Sequence, residues 1–217
     1  MKVSAGVAPG EVPTPGQRRQ MLIGLCRRRA RPGTGSGTDV LRRRTAMHPW
    51  PDLRALLEGI PWVIAGAVAT RAYMPERATR DLDILVRRVD GDRVRERLEA
   101  AGYRFVSSLT IPGFLLQSPE GVGVGVILGD FPWLEEALAS PRRDAAGYPV
   151  LDLPYLVLMK MASSRAQDIA DMVRMLGLAS EEEVARVREV VARYAPEEAE
   201  DLDSLIYLGR LEMGKAS

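Results

Sequence analysis

Hydrophobic and polar positions along the chain follow two periods, and each change of period marks a structural element. Residues 81–86 alternate polar and apolar side chains, which is typical of a strand with one buried face. Other short apolar runs predict strands at 62–65, 103–107, 113–117 and 122–128. Apolar residues at helical spacing predict a short helix that begins at Asp52, further helices at 67–74, 91–101 and 156–176, and two that begin at Ser180 and after Pro196.

This order of elements predicts an α+β fold, with a small sheet and flanking helices followed by a C-terminal helical part. The three strands between residues 103 and 128 are separated by short turns and are expected to form an antiparallel meander. We therefore expect an α+β domain at 48–150 and a helical region at 151–217.

Residues 1–47 differ from the rest in charge. They contain ten basic and two acidic residues, whereas residues 48–217 contain 20 basic and 27 acidic ones. Because this segment is also rich in proline and glycine, it is expected to be a disordered basic extension. Three interpretations stay open: electrostatic binding of nucleic acid, a targeting peptide, or an inert extension upstream of a start at Met47.

Composition narrows the chemistry that the chain can perform. One cysteine excludes a disulfide framework and any zinc site built from cysteines, and favours a reducing, cytoplasmic setting. One histidine excludes metal sites that need several histidines. No apolar run approaches the roughly 20 residues of a membrane-spanning helix, so no membrane partner is expected. The groups that remain as candidates for catalysis or ligand binding are carboxylates, arginine, lysine and the backbone.

The candidate chemistry centres on Asp81 and Asp83. Two aspartates at positions i and i+2 of a strand point to the same face, about 6–7 Å apart. They repel each other unless a cation lies between them, and such oxygen ligands suit Mg²⁺. Arg80 and Arg77, just upstream, could meet phosphates, and Gly66 would let a phosphate approach the backbone closely. The alternative is a solvated strand face, since this acid pattern is common.

The wider pattern resembles the nucleotidyltransferase superfamily, and most closely the minimal nucleotidyltransferase and AbiEii-like bacterial proteins. The similarity rests on the strand that ends in Gly66-Ala67, on the segment 80–86 (RDLDILV), and on 153–160 (LPYLVLMK) with 165–171 (RAQDIAD). It covers about residues 60–177. The resemblance implies a nucleotidyltransferase-like small mixed sheet with flanking helices.

The same resemblance assigns roles to individual residues. It implies that Asp81 and Asp83 are the catalytic and metal-binding pair, which would hold Mg²⁺ and a nucleoside triphosphate, with ATP as the expected nucleotide. It implies nucleotide contacts for Gly66, Ala67 and Lys160. Arg80 is also expected to contact the nucleotide, because it immediately precedes Asp81. Lys160 has an alternative, an ion pair with Asp168 two helical turns away.

Two positions depart from the family pattern. Ala67 replaces the usual serine or glycine, and Gly125 stands where a third carboxylate is expected; Asp130 is five residues out of register. Three functions therefore remain open. One is Mg²⁺-dependent transfer of a nucleotide to a hydroxyl on a protein, an RNA or a small molecule. The second is a degenerate nucleotidyltransferase-fold module that binds a partner, possibly within a toxin–antitoxin pair. The third is a scaffold whose acid pair is only a solvated strand face.

Overall fold

The structure is a computed structural model that describes residues 12–34, 50–75, 79 and 81–215. These residues form two compact units. One holds residues 50–152, and the other combines the described residues before position 35 with those from Leu153 onward. The units divide two residues after the expected boundary, and the N-terminal segment groups with the C-terminal helices. Within the described residues, no helix combines the length and apolar character needed to cross a bilayer.

The first unit is built on a mixed sheet of seven described strands in the order β3-β4-β5-β2-β1-β7-β6. The strand bounds are β1 Trp62–Ile64, β2 Asp81–Arg87, β3 Arg104–Ser108, β4 Gly113–Gln117, β5 Gly123–Gly129, β6 Arg142–Arg143 and β7 Pro149–Val150. Strands β3, β4 and β5 form the expected antiparallel meander. The prediction of an α+β fold with a small mixed sheet is confirmed, whereas β6 and β7 are too short to leave a hydrophobic pattern.

Strand β2 lies at the centre of this sheet, antiparallel to β1 and parallel to β5. Leu82, Ile84 and Val86 are buried on one face. On the other face the strand begins with Asp81, which is exposed, and Asp83, which is half-buried. The predicted alternation therefore places both acids on one side of a rigid central strand.

Three helices belong to the same unit: α2 at Gly66–Ala69, α3 at Gly91–Ala100 and α4 at Leu134–Ala139. Helix α2 ends earlier than the predicted 67–74, because the chain tightens into a 3₁₀ turn at Thr70–Ala72. The helix predicted from Asp52 is a hydrogen-bonded turn instead, in which the Asp52 carboxylate accepts a bond from the backbone N–H of Arg54. A local side-chain bond of this kind competes with helix formation.

The second unit is helical, with α1 at Pro15–Arg29, α5 at Leu153–Ser163, α6 at Ala166–Leu178, α7 at Glu181–Tyr194 and α8 at Ala199–Glu212. The single helix predicted over 156–176 is broken between α5 and α6, where Ser164 adopts a positive φ of 48°. The capping box predicted at Ser180 is present, with Glu183 as its partner.

Helix α1 lies inside the segment that was expected to be disordered, so that prediction is wrong for residues 15–29. The physical reason is Arg19, which is 1% exposed. Its guanidinium donates to Asp201 at 2.8 Å, to the Met161 carbonyl at 2.7 Å and to the Ser164 hydroxyl at 2.8 Å, and it also pairs with Glu198. A buried, paired arginine thus adds favourable contacts that composition alone does not reveal. The residues on either side of 12–34 lie outside the described part of the chain.

Candidate functional site

The two acids of β2 face a strand with no side chains opposite them. In the parallel pairing of β2 with β5, Asp81 is in register with Gly123, and Asp83 with Gly125. Residues in register share a face of the sheet, so the two carboxylates and the two glycines lie on the same side. The acids are therefore held at the beginning of β2, beside the beginning of the neighbouring strand β5.

Gly66 brings the end of β1 close to the same place. Its φ is +59°, a backbone conformation that favours glycine. A β-carbon at this position would overlap Oδ2 of Asp83 and lie 2.9 Å from its Cγ. The backbone N–H of Ala65 donates to the Asp83 carbonyl at 2.8 Å, which fixes this turn against β2. Gly66 is therefore required for both its conformation and the space beside Asp83.

Ala67, the next residue, is 8% exposed and its methyl group is buried. Because a methyl group forms no hydrogen bond, this residue could meet a phosphate only through its backbone. Helix α2 has only four residues, so its dipole adds little to anion binding. The turn thus offers a phosphate only backbone groups, and it is not a strong anion site of its own.

The acid pair has the chemistry of a small Mg²⁺ site. Two carboxylates about 6–7 Å apart at the backbone repel each other when both are ionised. Among the described residues, no cluster of three or more His, Cys, Asp or Glu side chains could hold a metal. Mg²⁺ is commonly bound by one or two carboxylates, and water and substrate phosphates complete its shell. Asp81 and Asp83, side by side on β2, fit that coordination.

Asp130 does not replace the missing third carboxylate. It follows the end of β5, five residues beyond Gly125, which corresponds to about 16 Å along the strand. Its side chain is 77% exposed and pairs with Arg88 at 3.6 Å. Asp130 therefore cannot take the place of an acid at position 125, because the parallel pairing of β2 with β5 puts it beyond the far end of these strands from the acid pair.

Lys160 lies in the helical unit, within a buried ionic cluster. Its Nζ atom donates to Asp171 at 2.7 Å and to Asp168 at 3.2 Å, and the residue is 4% exposed. Gln167 donates to the other oxygen of Asp171 at 3.0 Å, and Arg165 donates to Asp168 at 2.8 Å. This geometry favours the ion-pair interpretation of Lys160, and its role as a nucleotide contact stays a prediction.

The charges of this cluster set the ionisation of Asp168. Burial acts to raise the pKa of its carboxyl, but the hydrogen bond from Arg165 and the charge of Lys160 outweigh burial. The pKa of Asp168 is therefore lower than its ordinary value, and the carboxylate stays ionised at neutral pH. An acid that is held ionised by two cations is a structural anchor for α5 and α6.

Arg80 and Arg77, which were expected to meet phosphates, lie outside the described residues.

The residue that sequence reasoning missed is Gly123, which lies opposite Asp81 just as Gly125 lies opposite Asp83. The signal was available in the alternation of glycine and valine over 121–126. Such a pattern describes a strand with one bare face, but its meaning depends on which strand lies beside it.

No protein-family model matches the sequence, and no curated protein matches it. Similarity to solved structures is distant. The solution structure of the antibiotic-resistance factor ANT(2'')-Ia is 15% identical with a TM-score of 0.41, covering 81% of this chain and 92% of that one. A cytoplasmic RNA terminal U-transferase is 14% identical with a TM-score of 0.27, covering 81% and 48%.

A third neighbour is the STING-associated CdnE c-di-GMP synthase from Capnocytophaga granulosa. It is 11% identical with a TM-score of 0.26, and the match covers 91% of this chain and 84% of that one. Because the TM-scores of all three neighbours are below 0.5, these similarities assign neither a substrate nor an activity to this chain.

Proposed function

We propose that this chain binds a nucleoside triphosphate together with Mg²⁺ at Asp81 and Asp83 and transfers a nucleotidyl group to an acceptor hydroxyl. One observation carries the proposal: both carboxylates lie on one face of the central strand, over bare glycines and beside the Gly66 turn. That arrangement concentrates negative charge at one place, as the binding of a divalent cation requires. The sequence resemblance described above supports the same reaction and implies ATP, while the single cysteine favours a cytoplasmic location.

In this reaction the acceptor hydroxyl releases its proton to water and its oxygen bonds to the α-phosphorus, while the bond from the α-phosphorus to the bridging oxygen breaks and pyrophosphate leaves. When bound, Mg²⁺ would neutralise the charge that develops on the phosphate oxygens. Asp83, enclosed on both sides, would hold its ligand in a fixed position, while the more exposed Asp81 would close the shell. Gly66 would leave the space that Oδ2 of Asp83 needs beside the β1 turn.

A second function, nucleotide-dependent binding of a partner without turnover, is favoured by Gly125. A third carboxylate is often the base that takes the proton from the acceptor hydroxyl. Glycine cannot accept a proton, and the space that a side chain would take at position 125 is occupied by the Asp83 carboxylate. A partner of the toxin–antitoxin kind would belong to this second function.

Titration calorimetry of ATP into the purified protein, with and without Mg²⁺, tests the site. We expect Mg²⁺-dependent binding by the wild type and its loss in Asp81→Asn/Asp83→Asn, which removes both charges and keeps the side-chain size. Asp130→Asn is the matched control, because it neutralises an exposed acid at the other end of the sheet and should bind as the wild type does. Full binding by the double variant would refute the metal assignment.

Transfer from an α-labelled triphosphate to protein, RNA or aminoglycoside acceptors separates the two functions. Labelled product that the wild type forms and Asp81→Asn/Asp83→Asn does not form would identify the chain as a nucleotidyltransferase. Mg²⁺-dependent binding without labelled product, across all four triphosphates, identifies the binding module.

A further inference from the structure

We infer that Gly123 and Gly125 are positioning residues, whose missing side chains form a recess in β5 that seats the carboxylates of Asp81 and Asp83. This inference rests on the proposed function and concerns how the same site is built. The recess has space for the carboxylates of Asp81 and Asp83 and not for a third, so a carboxylate added at position 125 would displace Asp83.

Space, not backbone conformation, is the reason for both glycines. Neither has a φ in the left-handed region, so other residues could adopt the same backbone. A β-carbon at position 123, however, would overlap Oδ1 of Asp81 and lie 3.1 Å from its Cγ. A β-carbon at position 125 would overlap Oδ1 of Asp83. Glycine weakens a strand, and within a strand it often marks a place where another group approaches closely.

Asp83 is bounded by glycines on both sides. Gly66 leaves room for its Oδ2 atom from the β1 side, and Gly125 leaves room for its Oδ1 atom from the β5 side. Its carboxylate therefore lies in a slot between two backbones, which limits the rotamers that it can adopt. Among the described glycines, Gly123 alone approaches Asp81 in this way, and the Asp81 side chain is exposed. The recess thus holds Asp83 more tightly than Asp81.

The first experiment measures binding of MgATP by calorimetry in Gly125→Ala and Gly123→Ala. Groups that orient a metal ligand usually contribute about 10–100-fold to metal affinity, so we expect a weakening of at least about tenfold in Gly125→Ala. Gly129→Ala is the matched control on the same strand. Its β-carbon would meet side chains of Leu134 and Leu85 at 3.0 Å, far from the acids, so it should leave MgATP affinity unchanged.

Gly125→Asp makes the sharper test. If the third acid were simply missing, this variant would bind MgATP more tightly or transfer faster than the wild type. The recess predicts the opposite, namely weaker binding than the wild type. Wild-type affinity in Gly125→Ala, or improved binding in Gly125→Asp, would overturn the inference while leaving the proposed function intact.

A thermal-unfolding cycle tests the recess without any nucleotide. Gly125→Ala should lower the midpoint by about 2 °C or more, because the added methyl group pushes the Asp83 carboxylate out of its slot. In an Asp83→Ala background the same change should have no such effect, since the colliding atoms are gone. An equal loss in both backgrounds would overturn the inference. If the wild type binds no triphosphate, the proposed function fails, and this cycle still decides whether the recess seats Asp83.

Discussion

Replacing Lys160 with methionine should destabilise the helical unit by about 3–5 kcal/mol, the usual effect of removing one partner from a buried ion pair. Nζ of Lys160 is the cation for two carboxylates, at 2.7 Å from Asp171 and 3.2 Å from Asp168. Both acidic side chains are 2% exposed, so water cannot take over the role of the lost charge. Methionine has a similar length and helix propensity, and the change therefore isolates the charge.

The loss of stability in Lys160→Met should depend on pH in a defined direction. The folded-state pKa of Asp168 is lower than the ordinary value of 3.8: burial raises it, but the Arg165 hydrogen bond and the Lys160 charge outweigh burial. Its contribution to stability is therefore present above pH 3.8 and lost as the pH falls through the lower folded-state pKa. Without Lys160, protonation of the Asp168 carboxyl becomes less unfavourable. The stability difference between variant and wild type should thus shrink as the pH approaches 3.8.

Urea unfolding followed by circular dichroism at pH 7 and pH 4 measures both effects. Arg193→Met is the control, because its pair with Glu189 is exposed and should contribute less than about 1 kcal/mol. Lys160→Met/Asp171→Asn should recover part of the loss, since it removes a charge from each side. A Lys160→Met variant within about 1 kcal/mol of the wild type at pH 7, or with the same deficit at both pH values, would refute this account of the cluster.

Two further predictions concern the packing of the helical unit. Arg19→Met should lower the free energy of unfolding by about 3–5 kcal/mol, since it leaves Glu198 and Asp201 without their buried cation. Arg28→Met, on the exposed part of α1, should change the free energy of unfolding little. Equal free energies of unfolding for the two variants in urea titrations would show that the Arg19 contacts contribute nothing. Gly209→Ala should destabilise the protein by about 1–3 kcal/mol, because its β-carbon would lie 2.9 Å from Cα of Gly177 across the α6–α8 contact. Gly24→Ala, with open space around it, should stabilise the protein by up to about 1 kcal/mol. Shifts of the thermal-unfolding midpoint in the same direction for both variants would contradict this prediction.

Several features of the fold follow from local rules and could be predicted from the chain alone. The alternation over Asp81–Arg87 determines a strand with both acids on one face, because side chains of a strand alternate with period two. The meander of β3, β4 and β5 follows from three apolar runs with short turns between them. The break between α5 and α6 was missed, because Ser164 and Arg165 do not interrupt the helical spacing of the apolar residues around them.

The candidate site shows where prediction from sequence ends. Asp81, Asp83 and Gly66 could be named as candidates from the sequence because two short local patterns carry their chemistry. The position of Lys160 was open, since eight residues along a helix are compatible with either a ligand or an ion pair. Its burial beside Asp168 and Asp171 depends on the turn that returns α6 against α5, and such a turn has no periodic signal.

By itself, therefore, the sequence determined an α+β protein with a pair of carboxylates on one face of a strand beside a glycine turn. Tertiary structure alone decided what surrounds that pair. Gly123 and Gly125 lie beneath Asp81 and Asp83 only because β5 pairs in parallel with β2, a strand about 40 residues earlier in the chain. Likewise, Arg19 becomes a buried anchor only when α1 meets residues about 140 to 180 positions away. Contacts at such separations are set by packing of the whole unit, and no local period in the chain encodes them.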